Sequence, residues 1–128
     1  MPLSDTPCLS FSVKLDGCGA QEDLQKWADM IEASGQSILI ENCHWGFTTP
    51  SEGGWCPFNM YRTSGDIRSN FDFVLSNLLT TVRFNQNQLS YPGCWAYPDM
   101  LEVGCKDGPN AEDEGLTLTE ARTHFGAW

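Results

Sequence analysis

The stretch Ser12-Val13-Lys14-Leu15-Asp16-Gly17-Cys18 decides how the rest of the chain is interpreted. Apolar residues at 11, 13 and 15 alternate with polar residues at 12, 14 and 16, and this period of two predicts a β-strand. Lys14 and Asp16 then share one face, with Asp16 at the carboxyl end, before a glycine turn and a helix-like stretch. Functional groups gather at this end of strands in α/β folds, and an exposed turn residue paired with Lys14 is the alternative.

The sequence continues as alternating strands and helices, which predicts the α/β fold class. We predict a helix over 23–33 that closes at Ser34 and Gly35, then a strand over 37–42, and together with the first strand these make a βαβ unit. The other predictions are an irregular segment over 1–10, a short strand and turn in 59–66, a helix over 70–82, a polar loop over 84–92, a strand in 94–101, a loop rich in Gly and acids over 103–115, and a helix from Thr117, capped by Thr117 or Thr119.

Composition limits the function classes. A chain of 128 residues with 41% hydrophobic residues can form one packed domain. Its formal net charge of −10 argues against nucleic-acid and anionic-membrane partners, because both need basic surfaces. We expect no membrane span, since no apolar run is long enough, and no signal peptide in the first residues.

Six cysteines, at 8, 18, 43, 56, 94 and 105, are many for a cytosolic chain of this size. No Cys-x-x-Cys motif occurs, and no histidine lies at zinc-ligand spacing from them, so no metal site is expected. Disulfides in an oxidising compartment are the preferred interpretation. Cys43 and Cys56 flank a loop rich in Thr, Pro, Ser and Gly and are predicted to pair. Cys8 and Cys18 lie too far apart along an extended segment to pair with each other.

Three predicted strands each carry an aspartate at or near the carboxyl end: Asp16, Asp66 and Asp99. If these strands are neighbours in a parallel sheet, the three carboxylates converge on one rim. Paired carboxylates suit glycoside hydrolysis, in which one attacks or stabilises and the other exchanges a proton; binding of a divalent metal is the alternative. Aromatic residues favour a sugar, because apolar sugar faces stack on such rings: Trp45, Trp55, Tyr61, Trp95 and Tyr97.

Five motifs in order resemble glycoside hydrolase family 27, the α-galactosidases and α-N-acetylgalactosaminidases, from about residue 11 to residue 128. They are Val13-Lys14-Leu15-Asp16-Gly17-Cys18, Cys43-x-Trp45-Gly46, Arg62-x-x-x-Asp66-Ile67, Pro98-Asp99-Met100-Leu101-Glu102-Val103-Gly104 and Glu120-x-Arg122-x-His124-Phe125-x-x-Trp128.

The resemblance implies a (β/α)8 barrel, of which residues 1–128 would supply about strands four to seven, and retaining hydrolysis without a cofactor. Terminal α-linked galactose, N-acetylgalactosamine or a related pyranose on an oligosaccharide, glycolipid or glycoprotein glycan would be the substrate. Asp16 takes the nucleophile's position and Asp66 that of the acid/base. The implied substrate-binding residues are Lys14, Cys18, His44, Trp45, Arg62, Asp99 and Met100, and Cys18 also matches a cysteine that the family bridges to an upstream loop.

The retaining mechanism adds an expectation about charge. Asp66 should be partly desolvated so that it holds its proton, while Asp16 beside Lys14 should stay ionised.

The chain also departs from the family pattern. His44 replaces an acid that contacts the sugar's 2-position, and an imidazole cannot accept hydrogen bonds as a carboxylate does. Ala96 and Tyr97 replace Asn-Asp, and the additional Cys94 and Cys105 are predicted to form their own bridge.

Length is the final departure, because a full barrel needs about 250 residues. We therefore expect a central-to-C-terminal fragment of the barrel that folds poorly and is inactive alone. The resemblance implies a parent protein that is secreted, vacuolar or lysosomal, with a homodimer as one possible assembly. A carbohydrate-binding relative without turnover is the alternative function.

Overall fold

The computed structural model describes residues 11–106 and 113–128. In chain order the elements are β1 (Phe11–Asp16), a 3-10 turn (Gly19–Glu22), α1 (Leu24–Ser34), β2 (Ile38–Cys43), β3 (Met60–Arg62), α2 (Phe71–Thr80), α3 (Val82–Gln86), β4 (Trp95–Tyr97) and α4 (Leu118–Ala127). The predicted irregular segment 1–10 and part of the predicted loop 103–115 lie outside the described residues.

The four strands form one parallel sheet in the order β1-β2-β3-β4. Asp16 is in register with Cys43, and Arg62 is in register with Tyr97. Each strand thus lies beside its neighbour in sequence and points the same way, as in consecutive strands of a (β/α)8 barrel. The α/β class is confirmed, and the sheet is compatible with part of such a barrel.

One face of the sheet is covered by the helices. Leu15, Ile40 and Tyr61, from the first three strands, are almost completely buried with Leu24 of α1 and Phe84 of α3. Tyr61 packs edge-on against Phe84 at 5.2 Å between ring centroids. This face is the hydrophobic core, and it fixes which side chains of each strand must point the other way.

The opposite face is open at its amino-terminal half. Leu39, Met60 and Trp95 lie there with 52, 39 and 50% of their surface exposed. All-parallel sheets normally bury both faces. Within the described residues nothing covers this apolar patch.

The helix ends follow the sequence signals. The side chain of Asp23 accepts a hydrogen bond from the Lys26 amide at the start of α1, and Gly35 ends that helix with a φ of 68°. Thr117 and Glu120 form a reciprocal capping box at the start of α4, so Thr117 is the cap of the two candidates. The loop predicted over 84–92 is wrong at its start, because α3 extends to Gln86 and buries Phe84 in the core.

Both predicted disulfides are wrong. Cys56 pairs with Cys94 across 38 residues of sequence, whereas Cys43, Cys105 and Cys18 are free thiols. The physical reason is that Cys43 lies on the opposite face of the sheet from Cys56 and Cys94. Cys94 belongs to the core cluster and Cys56 packs against it, while Cys43 is in register with Asp16, whose side chain lines the cleft on the opposite face. Cys8 lies outside the described residues, and none of the described helices is long and apolar enough to cross a membrane.

Candidate active site

A cleft of about 460 Å³ opens at the carboxyl ends of the strands. The sheet brings Asp16, Asp66 and Asp99 together there, although they are far apart in sequence. Each strand or the loop that follows it contributes to the lining, which consists of Lys14, Asp16, Trp45, Arg62, Asp66, Ile67, Asp99, Met100 and Glu102. A cleft of this size, with several converging charged groups, suits a small polar ligand.

Arg62 organises the charges of this cleft. It is 3% exposed, and its NH2 atom lies 2.7 Å from Oδ1 of Asp66 and 3.0 Å from Oδ2 of Asp99. Its NH1 atom donates to the sulfur of Cys43 at 3.3 Å. One guanidinium at the end of β3 therefore contacts groups from β2, from its own following loop and from the loop after β4.

Asp99 is fixed from several sides. Its Oδ2 atom accepts a hydrogen bond from the Ile67 amide at 2.6 Å in addition to the Arg62 contact. Its backbone carbonyl accepts from the indole N–H of Trp128 at 2.6 Å, and His124 Nε2 accepts from the Glu102 amide at 3.1 Å. The end of α4 thus holds the loop that supplies Asp99, Met100 and Glu102.

Asp66 differs from the sequence expectation. Its side chain is 63% exposed, and the hydrogen bond from Arg62 lowers the pKa of the carboxyl, with a smaller contribution from the indole of Trp45. The expectation of a desolvated carboxyl that holds its proton is wrong for this structure. The reason is that the cleft is open above Asp66, so water and Arg62 both favour the charged form.

Lys14 and Asp16 lie beside the thiol of Cys43. Burial disfavours the charged form of Lys14, but Cys43, Asp16 and Glu41 outweigh it and raise the pKa of the amine. Burial raises the pKa of the Cys43 thiol, against the opposing hydrogen bond from Arg62. This buried thiol was missed as a site residue, and the signal was its position at the end of β2, in register with Asp16.

Two of the proposed substrate-binding residues do not line this cleft. His44 is buried and lines a neighbouring pocket, where its Nδ1 lies 2.9 Å from Oγ1 of Thr48 and its Nε2 has no hydrogen-bond partner. Cys18 is exposed, and its sulfur accepts a long hydrogen bond of 3.7 Å from Gln21. Trp45 lines both pockets and separates the position of His44 from the aspartates.

A polar pair below the cleft was also missed. The hydroxyl of Tyr97 donates to Oε1 of Glu41 at 2.5 Å, and burial raises the pKa of Tyr97. Through this hydrogen bond Tyr97, which departs from the family pattern, connects β4 to β2. Among residues 11–106 and 113–128, no group of three or more His, Cys, Asp or Glu side chains is arranged to hold a metal ion.

Active sites of α/β barrels lie at the carboxyl edge of the parallel sheet, where this chain collects its carboxylates, a lysine and an arginine. Comparison with known proteins points to glycoside hydrolases. The chain is 31% identical to a probable alpha-galactosidase of Dictyostelium discoideum over 123 residues, which cover 91% of the chain and 29% of that protein. It is 32% identical to alpha-galactosidase 2 of Arabidopsis thaliana over 114 residues, 88% of the chain and 26% of the relative.

A third relative, the alpha-galactosidase of Cyamopsis tetragonoloba, is 33% identical over 112 residues, 88% of the chain and 25% of the relative. The chain is similar to these α-galactosidases over most of its length, which is consistent with a fragment of glycoside hydrolase family 27. It spans between 25 and 29% of the length of these three relatives. No protein-family model matches the chain.

Proposed function

We propose that the chain supplies the catalytic rim of a retaining α-glycosidase that hydrolyses terminal α-linked galactose, N-acetylgalactosamine or a related pyranose. Strands β1 to β4 would be the fourth to seventh strands of a (β/α)8 barrel. The substrate would be an oligosaccharide, glycolipid or glycoprotein glycan. The parent protein would be secreted, vacuolar or lysosomal. The names of the relatives and the grouping of carboxylates and cations in one cleft support this proposal.

The proposed reaction is a double displacement. The carboxylate of Asp16 attacks the anomeric carbon, while Asp66 gives a proton to the departing glycosidic oxygen, and a glycosyl ester on Asp16 results. Asp66 then takes a proton from water, which attacks the same carbon and releases the sugar and Asp16. This chemistry needs carboxyl groups about 5–5.5 Å apart across the ring.

A bound sugar favours protonation of Asp66 in this scheme. Without ligand the carboxyl is well hydrated and paired with Arg62, so its pKa is low. A sugar that covers Asp66 removes water from it and thereby raises its pKa towards the range that an acid needs. Arg62 meanwhile remains balanced by Asp99, which is 5% exposed.

The remaining groups would bind the sugar hydroxyls. Lys14 supplies a charged donor beside Asp16, and its raised pKa keeps it cationic. Arg62 and Ile67 both contact Oδ2 of Asp99, and the proposal assigns Oδ1 to a sugar hydroxyl. Trp45 and Met100, with 38 and 59% of their surfaces exposed, provide apolar contact to the ring.

The observation that carries the proposal is the placement of Asp16 and Asp66 in one cleft. Arg62, at the end of β3, contacts Asp66 and Asp99 in the same cleft. The test is a chimera in which residues 11–128 replace the matched stretch of the Dictyostelium relative. We expect it to hydrolyse an aryl α-galactoside. Asp66→Asn should lower kcat/KM about 10²–10⁴-fold, and Asp16→Asn about 10⁴–10⁶-fold. Wild-type rates in both variants would contradict the assignment.

A second candidate is sugar binding without turnover, and the exposed, Arg62-paired Asp66 favours it. A carboxyl that stays ionised cannot donate a proton. A chimera that binds galactose with Asp16 and Asp66 intact, yet releases no aryl group at any pH, would establish this candidate instead.

A further inference from the structure

The turn after β2 is held in an unusual backbone conformation. Trp45 has a φ of 51°, in the left-handed region that non-glycine residues rarely adopt, and Gly46 follows with a φ of 83°. A Cβ added to Gly46 would lie 2.4 Å from the carbonyl oxygen of Thr63, so the turn lies directly against the end of β3. Strained conformations persist where their surroundings fix them, and they cluster at functional sites.

Buried hydrogen bonds fix this turn. Asn42, which is fully buried, accepts from the His44 amide at 3.2 Å and donates to the Thr48 carbonyl at 2.9 Å. The Phe47 amide closes the turn on the His44 carbonyl at 2.8 Å. The backbone of Trp45 is therefore set by its neighbours and not by its own preference.

The indole of Trp45 contacts Asp66 and the residue that follows Asp16. A Cβ added to Gly17, the residue directly after Asp16, would lie 2.5 Å from Cζ3 of Trp45, so the ring rests on the Gly17 backbone. The indole N–H donates to Oδ1 of Asp66 at 3.2 Å. The side chain of Trp45 thus connects the segment that carries Asp16 with the carboxylate of Asp66.

We propose that Trp45 is a positioning residue that orients Asp66 and sets its place relative to Asp16. Arg62 and Trp45 both donate to Oδ1 of Asp66, so Oδ2 is the oxygen that carries and delivers the proton. The proposal adds orientation of the acid to the sugar-contacting role inferred from the sequence. It rests on the proposed function for the role of Asp66, and the contact itself can be tested without turnover.

The chain offers a close control. Trp55 is 39% exposed, almost the same as Trp45 at 38%, and its indole N–H donates to Gln25 Oε1 at 2.8 Å, away from the cleft. If Trp45 only packs against its surroundings, replacing either tryptophan by phenylalanine should leave the Asp66 carboxyl unchanged.

The experiment is a carboxyl-carbon NMR titration of the chimera, carrying labelled aspartate, because the 128-residue chain is expected to fold poorly alone. Trp45→Phe keeps the ring but removes the donor, and we expect the Asp66 midpoint to move to higher pH because the charged form loses a hydrogen bond. Trp55→Phe should leave the midpoint unchanged. In the unsubstituted chimera the indole proton of Trp45 should titrate together with Asp66, and Asp66→Asn should abolish that response.

A second pair of variants displaces the ring without removing it. Gly17→Ala pushes a methyl into Trp45 and should also raise the Asp66 midpoint. Gly53→Ala is the control, because its added Cβ meets nothing closer than Ser51 Oγ at 3.6 Å. If Trp45→Phe does not fold, Gly17→Ala decides alone. An Asp66 midpoint that is the same in Gly17→Ala and Gly53→Ala, or in Trp45→Phe and Trp55→Phe, would overturn the proposal.

The chimera separates this proposal from the proposed function. There, Trp45→Phe should shift the alkaline limb of the kcat/KM profile to higher pH, because Asp66 must be protonated to act as the acid. An inactive chimera with the NMR result intact refutes hydrolysis only. An active chimera with an unmoved limb and unmoved midpoint refutes the role of Trp45 only.

Discussion

Replacing Arg62 by methionine tests how the cleft is held together. This substitution leaves Asp99, which is 5% exposed, without its cation, and it also removes the partner of Asp66, which is 63% exposed. Breaking a buried ion pair from one side costs about 3–5 kcal/mol. Because Asp99 keeps the Ile67 amide, we expect about 3 kcal/mol of lost unfolding free energy, at the low end of that range.

The two carboxylates should respond differently to removal. Asp66→Asn breaks a pair at the surface and should cost less than about 1 kcal/mol. Arg62→Met combined with Asp99→Asn removes both buried charges, so its loss should be smaller than the sum of the single losses by about 2 kcal/mol. Arg83→Met is the control, because Arg83 is exposed and its described contact is with the ring of Phe84.

Urea unfolding of the chimera at neutral pH, followed by tryptophan fluorescence, measures these differences, and the slope m should not change between variants. Equal costs for Asp66→Asn and Asp99→Asn, or additive losses in the Arg62 and Asp99 double variant, would refute the claim that Asp99 is the buried partner of Arg62.

Three further predictions concern stability. Replacing Cys56 and Cys94 by serine should lower the unfolding free energy by about 4 kcal/mol, measured by urea unfolding, because the bridge spans 38 residues; an equally stable variant would place the pairing elsewhere. Burial lowers the pKa of His124, so below about pH 6.5 the unfolded chain binds a proton before the folded chain does. Stability should therefore fall by up to about 1.4 kcal/mol per pH unit as the pH is lowered. Thermal unfolding should show this fall in the unsubstituted protein but not in His124→Gln. Gly46→Ala should cost more than Gly35→Ala, because both have positive φ but only the first also meets a backbone carbonyl, and equal melting temperatures would contradict this.

Local patterns predicted the elements well where the signal was itself local. The alternation in Phe11–Asp16 gave β1 to the residue, and the spacing of Thr117 and Glu120 gave the cap of α4. The helix that ends at Gln86 was missed because burial of Phe84 against Tyr61, far away in sequence, stabilises it.

Errors in the site arose from pairings that the sequence cannot rank. Cys43 was assigned to a disulfide because it flanks a loop, whereas its place in the strand turns it towards the cleft. The charge state of Asp66 depends on Arg62, four residues earlier, and that spacing was visible in the sequence. The degree of exposure, which decides whether the arginine or burial dominates, is set by how much of the cleft is covered.

Asp16 is the group proposed to bond to the sugar. The most direct measurement is peptide mass spectrometry of the chimera after reaction with a ring-fluorinated α-galactosyl fluoride, which slows release of a glycosyl-enzyme. We predict one fluorinated galactosyl group on the peptide that contains Asp16. The same label on the Asp66 or Asp99 peptide, or no label on a chimera that hydrolyses α-galactosides, would contradict the account.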